Sequence, residues 1–369
     1  MTTVLITGAK GFVGRNLASH LAQMDNITLL EYCNGSPLED LVALSASADV
    51  VFHLAGVNRA HGVHEFEEGN AGFTRTLVDA ISDSGRKPHV IVSSSIQAAL
   101  DNPYGVSKRH SEEVLSAFAR ETGTPVSIFR LKNVFGKWCR PNYNSVTATF
   151  CNNIANDLPV QISDPDHEVE LVCIDDVIDA FIARMDTDPK PESVFVKPDS
   201  IPSYTIALSE LAERIQFFRN IQQTLEVPDF SHRFDQQLYA TYLSYVPNER
   251  WEYGPKILSD ERGNLAELIK STSFGQIFVS RTKPGITRGN HYHHTKTEKF
   301  MVVAGEGLVR FRQIYETEVR EISVRGEDYR IVDIPPGYTH SITNTGKTEM
   351  ITLFWASELF NSHHADTYY

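Results

Sequence analysis

Tyr104 and Lys108 stand four residues apart in Tyr104-Gly-Val-Ser-Lys108, shortly after a run of three serines, Ser93-Ser94-Ser95. Side chains at i and i+4 share one face of a helix. An ammonium beside a phenol lowers the phenol's pKa. Such a tyrosine can pass a proton to a carbonyl oxygen while hydride arrives at carbon, and a serine hydroxyl can hold the same oxygen. The pattern therefore points to oxidation or reduction at a carbonyl.

Hydride chemistry needs a donor, and the first residues supply a place for one. Val4-Leu-Ile-Thr7 leads into Gly8-Ala9-Lys10-Gly11-Phe12-Val13-Gly14, followed at once by a helical stretch. Glycines there let the turn close, let the backbone approach a diphosphate and let helix pack on strand. The helix N-terminus then offers N–H groups and a positive dipole end to the anion. Glu31, at the end of the second strand-like run, occupies the place where a carboxylate takes the ribose hydroxyls of NAD. No arginine follows it in Tyr32-Cys33-Asn34, so a 2′-phosphate has Lys10 and Arg59 as its candidate cations, and the choice between NAD and NADP stays open at this level.

A second group of chemical residues lies far downstream. His291 and His293 alternate, Glu298 follows, and His340 comes after Pro335-Pro336-Gly337-Tyr338-Thr339. Alternate residues of a strand point to one face, so the two histidines can converge with Glu298 and His340. Three imidazoles and a carboxylate suit Zn²⁺, Fe²⁺, Mn²⁺ or Ni²⁺, with zinc the expected occupant. The ion could be catalytic or structural. His294 faces the other way on a regular strand and is left out of the set.

These residues must be held by two different architectures. In the first part, Val4–Thr7, Ile27–Glu31, Val50–Leu54, Val90–Ser93 and Val126–Arg130 read as buried strands. Helix-like stretches at Arg15–Met24, Thr74–Asp83 and Ser107–Glu121 alternate with them, which implies an α/β, doubly wound Rossmann-type domain with a parallel sheet. Ala207 to Leu243 reads as helical and then irregular, broken at Val227-Pro228 and Val246-Pro247. Beyond it, Gly and Pro punctuate short runs at Gln276–Ser280, Phe300–Val303, Gly307–Arg312, Arg330–Ile334 and Met350–Trp355, which read as an all-β sandwich or barrel. The expected domains are 1–245 and 246–369. A length of 369 residues agrees with two domains, at the usual ~100–200 residues each.

Composition narrows the partners. A formal net charge of −13 argues against nucleic acid and anionic membranes, both of which the net field repels. It leaves room for an anionic small molecule held by a local cluster of N–H groups. The four cysteines, Cys33, Cys139, Cys151 and Cys173, form no CxxC pair and read as reduced thiols. The sequence opens directly on a strand and carries no signal-peptide pattern or apolar run of membrane length, so a soluble cytoplasmic protein is expected.

Four segments, TGAKGFVG, His53-Leu54-Ala55-Gly56, Tyr104-x-x-x-Lys108 and Arg130-Leu-Lys-Asn133-Val-Phe-Gly136, resemble the extended short-chain dehydrogenase/reductase family of nucleotide-sugar enzymes. The resemblance implies that Leu54, Ala55 and Gly56 lie at the cofactor, that Ser95 is the catalytic serine and that Asn133 contacts substrate. Asn142, Tyr143 and Asn144 are further substrate candidates. Sugar 4,6-dehydratases of this family carry an Asp-Glu pair after the serine or threonine; Ile96-Gln97 stand here, so elimination lacks its acid and base.

Gly285-x₅-His291-x-His293-x₄-Glu298-x₆-Gly305 and the later Pro335-Pro336-Gly337…His340…Asn344 resemble the two motifs of metal cupins, jelly-roll barrels. Only the leading glycine of the second motif is missing, replaced by Tyr329. The union of the two parts is similar to bifunctional enzymes of capsular-polysaccharide synthesis. It implies a UDP-linked 4-keto sugar, inversion at C3 in the cupin part and NADPH-dependent reduction of the C4 ketone in the first part. The general base for C3 is not identified; Tyr338 and Lys299 are unassigned candidates. Cupins commonly pair, so a homodimer is expected. Two other readings are a reductase whose cupin is only a dimerisation module, and a non-catalytic NADP sensor or scaffold, against which Tyr104 and Lys108 count.

Overall fold

The computed structural model describes residues 1–187, 194–196 (backbone only), 201–361, 363 and 365–369. They form two units, Met1–Ile215 with Gln237–Val246, and Gln216–Gln236 with Pro247–Tyr369.

The first unit is built on six parallel strands, β1 (Thr2–Thr7), β2 (Ile27–Tyr32), β3 (Val50–His53), β4 (His89–Ser95), β5 (Val126–Leu131) and β8 (Val194–Val196), ordered β2-β1-β3-β4-β5-β8. Strand alternation explains why the runs are apolar throughout. Val4 and Ile6 pack into one core with Leu17 of α1 (Phe12–Leu21) and Phe181 of α7 (Ile174–Met185). Leu5 packs into the opposite core with Leu41 of α2 (Leu38–Ser47), Leu77 of α4 (Phe73–Ser84) and Leu115 of α5 (Pro103–Thr122). All of these side chains are fully buried, each favouring the fold by about 1.5–3 kcal/mol. The order reverses between β1 and β3, which opens a crevice at the carboxyl ends of those strands, where ligands bind in doubly wound folds.

α5 begins at Pro103, with Tyr104 in its first turn as the Tyr104–Lys108 spacing requires, because Asn102 caps it by accepting from the Gly105 N–H at 2.8 Å and Pro103 fits the first turn. That start keeps Tyr104 on the helix with Lys108. A smaller sheet, β6 (Asn133–Phe135), β7 (Glu168–Cys173) and β9 (Tyr204–Ala207), stands beside α6 (Val146–Ala155) in chain order. Two helices follow, α8 (Leu208–Thr224) and α9 (Arg233–Leu243). The stretch after Pro228 is therefore helical where irregular chain was expected. Its buried Phe234, Leu238 and Tyr242 recur every fourth residue, a helical stripe.

Beyond Pro247 the second unit is built of two antiparallel sheets. One antiparallel sheet runs β10 (Ile257–Asp260), β11 (Gly263–Ser271), β12 (Gly275–Thr282), β19 (Met350–Ala356), β14 (Glu298–Ala304), β17 (Ile331–Ile334). The other runs β13 (Thr287–His291), β18 (Tyr338–Asn344), β15 (Glu306–Gln313), β16 (Arg320–Arg325). Phe300 and Phe354 of the first sheet share a core with Val309, Phe311 and Ile342 of the second, as expected of a cupin sandwich. Tyr329 takes φ +47°, the left-handed conformation that the missing glycine would adopt freely. β13, with sequence TRGNH, has no apolar run, which is why periodicity did not reveal it.

Candidate functional site

β1 runs out into Gly8, whose φ of +75° and contact with the Ala55 backbone, 2.8 Å from where a Cβ would sit, admit only glycine. The Gly11 N–H donates to the Gly8 carbonyl at 2.9 Å. A Cβ on Gly14 would meet that carbonyl oxygen at 2.3 Å. Gly11 is also the N-cap of α1, with no side chain satisfying the first N–H groups and no acid in the first turn. Those donors and the dipole are free for a diphosphate, so the residues fit a dinucleotide.

Two cavities of about 500 Å³ share Gly8, Gly11, Leu54 and Gly56 in their walls. One continues along Lys10, Tyr32–Ser36, Ala55 and Phe73. The other continues along Phe12, Val13, Gly14, Ser95, Tyr104 and Lys108. Two expected cofactor residues lie off these walls. Glu31 is exposed and lines neither cavity; Tyr32 and the turn Cys33–Ser36 stand at the strand end instead. Arg59 also lines neither, because its Nη1 donates to the carbonyls of Asn142 at 3.2 Å and Tyr143 at 3.0 Å. Lys10 is the candidate cation that remains at the cavity.

The strand end selects among the three serines. Ser94 turns inward and its hydroxyl donates to Glu112 at 2.5 Å. Ser95 ends β4 and accepts from the Gln97 N–H at 3.1 Å, capping a short 3₁₀ turn, Ile96–Ala99, and keeping its own proton to donate. Tyr104 donates to Asn58 Oδ1 at 3.1 Å and packs edge-on against Phe66. Burial pushes the Tyr104 phenol up, with the hydrogen bond to Ser95 opposing. This corrects the expected lowering: packing around the ring outweighs that hydrogen bond. The phenol therefore holds its proton at neutral pH, the state a general acid requires.

Lys108 is buried, its Nζ donating to the Ser93 carbonyl at 3.3 Å. Burial lowers its pKa to about 8, against the attraction of Glu112. Glu112 is itself buried and gripped by Arg130, with Nε at 2.9 Å and Nη2 at 2.5 Å. Asn70 ties this wall together, donating to Ser107 Oγ at 2.9 Å and exchanging bonds with both backbone groups of Val57. His53, between Thr7 Oγ1 and Thr74 Oγ1, is held neutral, its pKa lowered to about 3 by burial and then by Lys108; its place is structural.

Asn133, Tyr143 and Asn144 line the same cavity as Tyr104. Asn133 donates to the Glu170 carbonyl at 3.1 Å. Asn142 does not line it; at φ +54° it shapes the loop, its N–H donating to Thr149 Oγ1 at 3.0 Å. Residues that sequence reasoning missed are Asn58, Glu112 and Arg140. Arg140 lines the cavity with its guanidinium 5.2 Å from the Tyr143 ring. None belongs to a spaced pattern, although Glu112 falls four residues after Lys108 on the same helical face.

In the second unit, one ligand atom from each of His291, His293, Glu298 and His340 lies within 4.8 Å of the others. β13 ends at His291 after a bulge at Gly289 and Asn290, both at positive φ, so His293 lies beyond the strand and not on its continued face as expected. The set still converges. The Nε2 atoms of His293 and His340 each stand 3.5 Å from Glu298 Oε2, buried and without a hydrogen-bond partner. The Nδ1 of His340 faces the Tyr338 carbonyl at 3.2 Å and that of His293 faces the Asp366 carbonyl, which turns the Nε2 lone pairs inward. Burial, then His340 and His293, lower the His291 pKa to about 4, so it is neutral. Orphaned nitrogens around a carboxylate fit a divalent cation. His294 points elsewhere, its ring against Tyr292 and Tyr368.

Residues 4–196 match the NAD dependent epimerase/dehydratase family and residues 258–368 the polysaccharide biosynthesis C-terminal domain. The chain belongs to the NAD dependent epimerase/dehydratase family. Its similarity to particular relatives extends over the whole length. The UDP-2-acetamido-2,6-beta-L-arabino-hexul-4-ose reductase of Pseudomonas aeruginosa is 44% identical over 365 residues, 99% of this chain and 97% of that protein. The crystal structure of the capsular polysaccharide assembling protein CapF from Staphylococcus aureus matches with a TM-score of 0.90 at 40% identity, covering 99% of both chains. The UDP-glucuronic acid 4-epimerase of Bacillus cereus, 18% identical with a TM-score of 0.52, shares the fold over 58% of this chain and 83% of that one. Among the described residues, no helix is long and apolar enough to cross a membrane.

Proposed function

We propose that the first unit reduces the C4 ketone of a UDP-linked 4-keto-2-acetamido-2,6-dideoxy-L-hexose with NADPH, and that the second unit inverts C3 of the same sugar. The product is then UDP-2-acetamido-2,6-dideoxy-β-L-talose, on the way to N-acetyl-L-fucosamine of capsule or O-antigen. The observation that carries the reductase reading is the placing of Ser95, Tyr104 and Lys108 on a cavity that also includes the glycine cradle. The name of the Pseudomonas aeruginosa relative supplies the sugar class.

A reduced nicotinamide supplies the hydride when bound. Tyr104 gives its phenolic proton to the C4 oxygen, so the ketone gains one hydride and one proton and becomes an alcohol. Ser95 donates a hydrogen bond to that oxygen as charge builds on it. Lys108, on the same cavity wall, carries a positive charge that favours the tyrosinate that is left. NADPH is favoured over NADH because, among the described residues lining the Lys10 cavity, none is acidic.

His291, His293, Glu298 and His340 would hold the divalent cation, zinc first among the candidates for this donor set. Such an ion supplies Lewis acidity toward a carbonyl oxygen. The C3–H is acidic because it lies alpha to the C4 carbonyl. Lys299 is set aside as its base, since its Nζ is paired with Asp333. The four cysteines are free thiols, in keeping with a cytoplasmic protein, and we read the active form as a homodimer.

Two measurements test this reading. Tyr104→Phe should lower kcat/KM for the ketosugar by ~10²–10⁴-fold with NADPH binding retained; a variant keeping more than about a tenth of the rate sinks the acid assignment. In deuterated water without nicotinamide, the intact protein should place deuterium at C3 of the UDP-4-keto sugar, and His291→Ala should not. No exchange in the intact protein, with NADPH still oxidised on addition, leaves a reductase with a structural cupin. Light scattering at micromolar concentration should return twice the monomer mass.

A further inference from the structure

β13 ends at His291 and β14 begins at Glu298, so the stretch 292–297, which carries His293, belongs to neither strand. Toward its ends the Gly337 N–H donates to the His293 carbonyl at 2.8 Å and the Thr297 N–H donates to Ser357 Oγ at 3.1 Å. Its middle is fastened by a segment some 70 residues away, Asp366–Tyr368. The Asp366 carboxylate accepts from three successive backbone N–H groups, His294 at 2.9 Å, Thr295 at 2.8 Å and Lys296 at 2.8 Å, and from the Thr295 hydroxyl at 3.1 Å. Tyr292 and Tyr368 exchange backbone bonds in both directions, at 2.8 and 3.0 Å. The backbone carbonyl of Asp366 receives Nδ1 of His293.

We propose that Asp366 is a positioning residue of the metal centre. Its carboxylate gathers the turn, and this sets its own carbonyl on His293, fixing the imidazole as the Nδ1–H tautomer with the Nε2 lone pair facing Glu298 and His340. The inference rests on the metal-binding reading of the four residues. Charge matters to it: a carboxylate collecting several N–H groups makes stronger bonds than a neutral acceptor. The competing state is visible in the same geometry. A His293 freed from the carbonyl can move its proton to Nε2 and donate to Glu298 Oε2, now 3.5 Å away, which removes the lone pair a metal needs. The residue is invisible to motif reading because it lies outside both histidine motifs.

The test uses the full chain with Asp366→Ala and Asp366→Asn, each checked for fold by circular dichroism. Nitrogen-15 NMR of the metal-free protein reports the His293 tautomer, and competition with a chromophoric chelator reports zinc affinity. We expect Nδ1–H in the wild type, loss of that single tautomer in Asp366→Ala, and zinc binding weaker by about 10–100-fold. Asp366→Asn, which keeps an acceptor oxygen but loses the charge, should fall between; it carries the same readouts should the alanine variant unfold. A folded variant with His293 still on Nδ1 and wild-type zinc affinity overturns the proposal. A wild type that takes up no zinc defeats the metal reading instead, and the tautomer measurement, made without metal, still decides the role of Asp366.

Discussion

Neutralising Glu112 should move the pH at which the reductase site loses its lysine charge. Burial drives Lys108 toward neutrality, and its pKa stands at about 8 because desolvation exceeds the restoring pull of Glu112. Glu112 lies four residues on along α5, where Cβ atoms are ~5–6 Å apart. Two unit charges ~6 Å apart in an effective dielectric of ~20 interact by about 3 kcal/mol, and about 1.4 kcal/mol is one pKa unit. Glu112→Gln should therefore lower the Lys108 pKa by roughly one to two units. The amide still accepts from Ser94, whose hydroxyl sits 2.5 Å from Oε1. The working form is the ammonium, present below its pKa and lost as pH rises through it. In the wild type, kcat/KM for NADPH, which reports the free enzyme, should fall as pH rises past about 8. In the variant the fall should begin at least one unit lower. An alkaline limb that stays in place or moves upward would refute the coupling of Glu112 to Lys108.

Three further outcomes follow from the same geometry. Gly14→Ala places a methyl 2.3 Å from the Gly8 carbonyl oxygen, so we expect NADPH binding to fail and stability to drop by about 1–3 kcal/mol; calorimetry showing wild-type affinity contradicts the cradle. Lys10→Ala should weaken NADPH by about tenfold or more, the worth of a charge-assisted hydrogen bond, while NADH is unaffected; an unchanged preference ratio removes Lys10 from the 2′-phosphate. Tyr329→Gly relieves a left-handed residue that is 67% exposed and should stabilise the protein by up to about 1 kcal/mol after the entropy cost of glycine, read as a raised thermal midpoint; a lowered midpoint shows that the tyrosine is held by its contacts.

Spacing becomes geometry wherever local structure has a period, and that is where the sequence could be read. Tyr104 and Lys108 share a helix face because the helix repeats, and the glycines converge because a strand, a tight turn and a helix follow one another without interruption. His291 and His293 reach one cluster even though the strand stops between them, with His293 held there by its bonds to Gly337 and Asp366. The alternation of Val4, Leu5 and Ile6 between two cores made the parallel sheet legible as an unbroken apolar run. The four chain segments that carried the family resemblance are local in the same sense.

Other features were decided by tertiary structure alone. Arg59 is engaged by carbonyls 83 and 84 residues away, and His293 by one 73 residues away; no period links such positions. Glu31 is exposed off the cavity wall, which Tyr32 and the turn Cys33–Ser36 form. Neighbours in sequence suggested a lowered Tyr104 pKa, but desolvation depends on everything packed around the ring, and it pushes the phenol up. The sequence by itself therefore determined which groups are present and which of them share a local face. Packing determined which of them are desolvated, which are already bonded and which remain free to act, because burial and long-range contact are properties of the folded chain that no local spacing encodes.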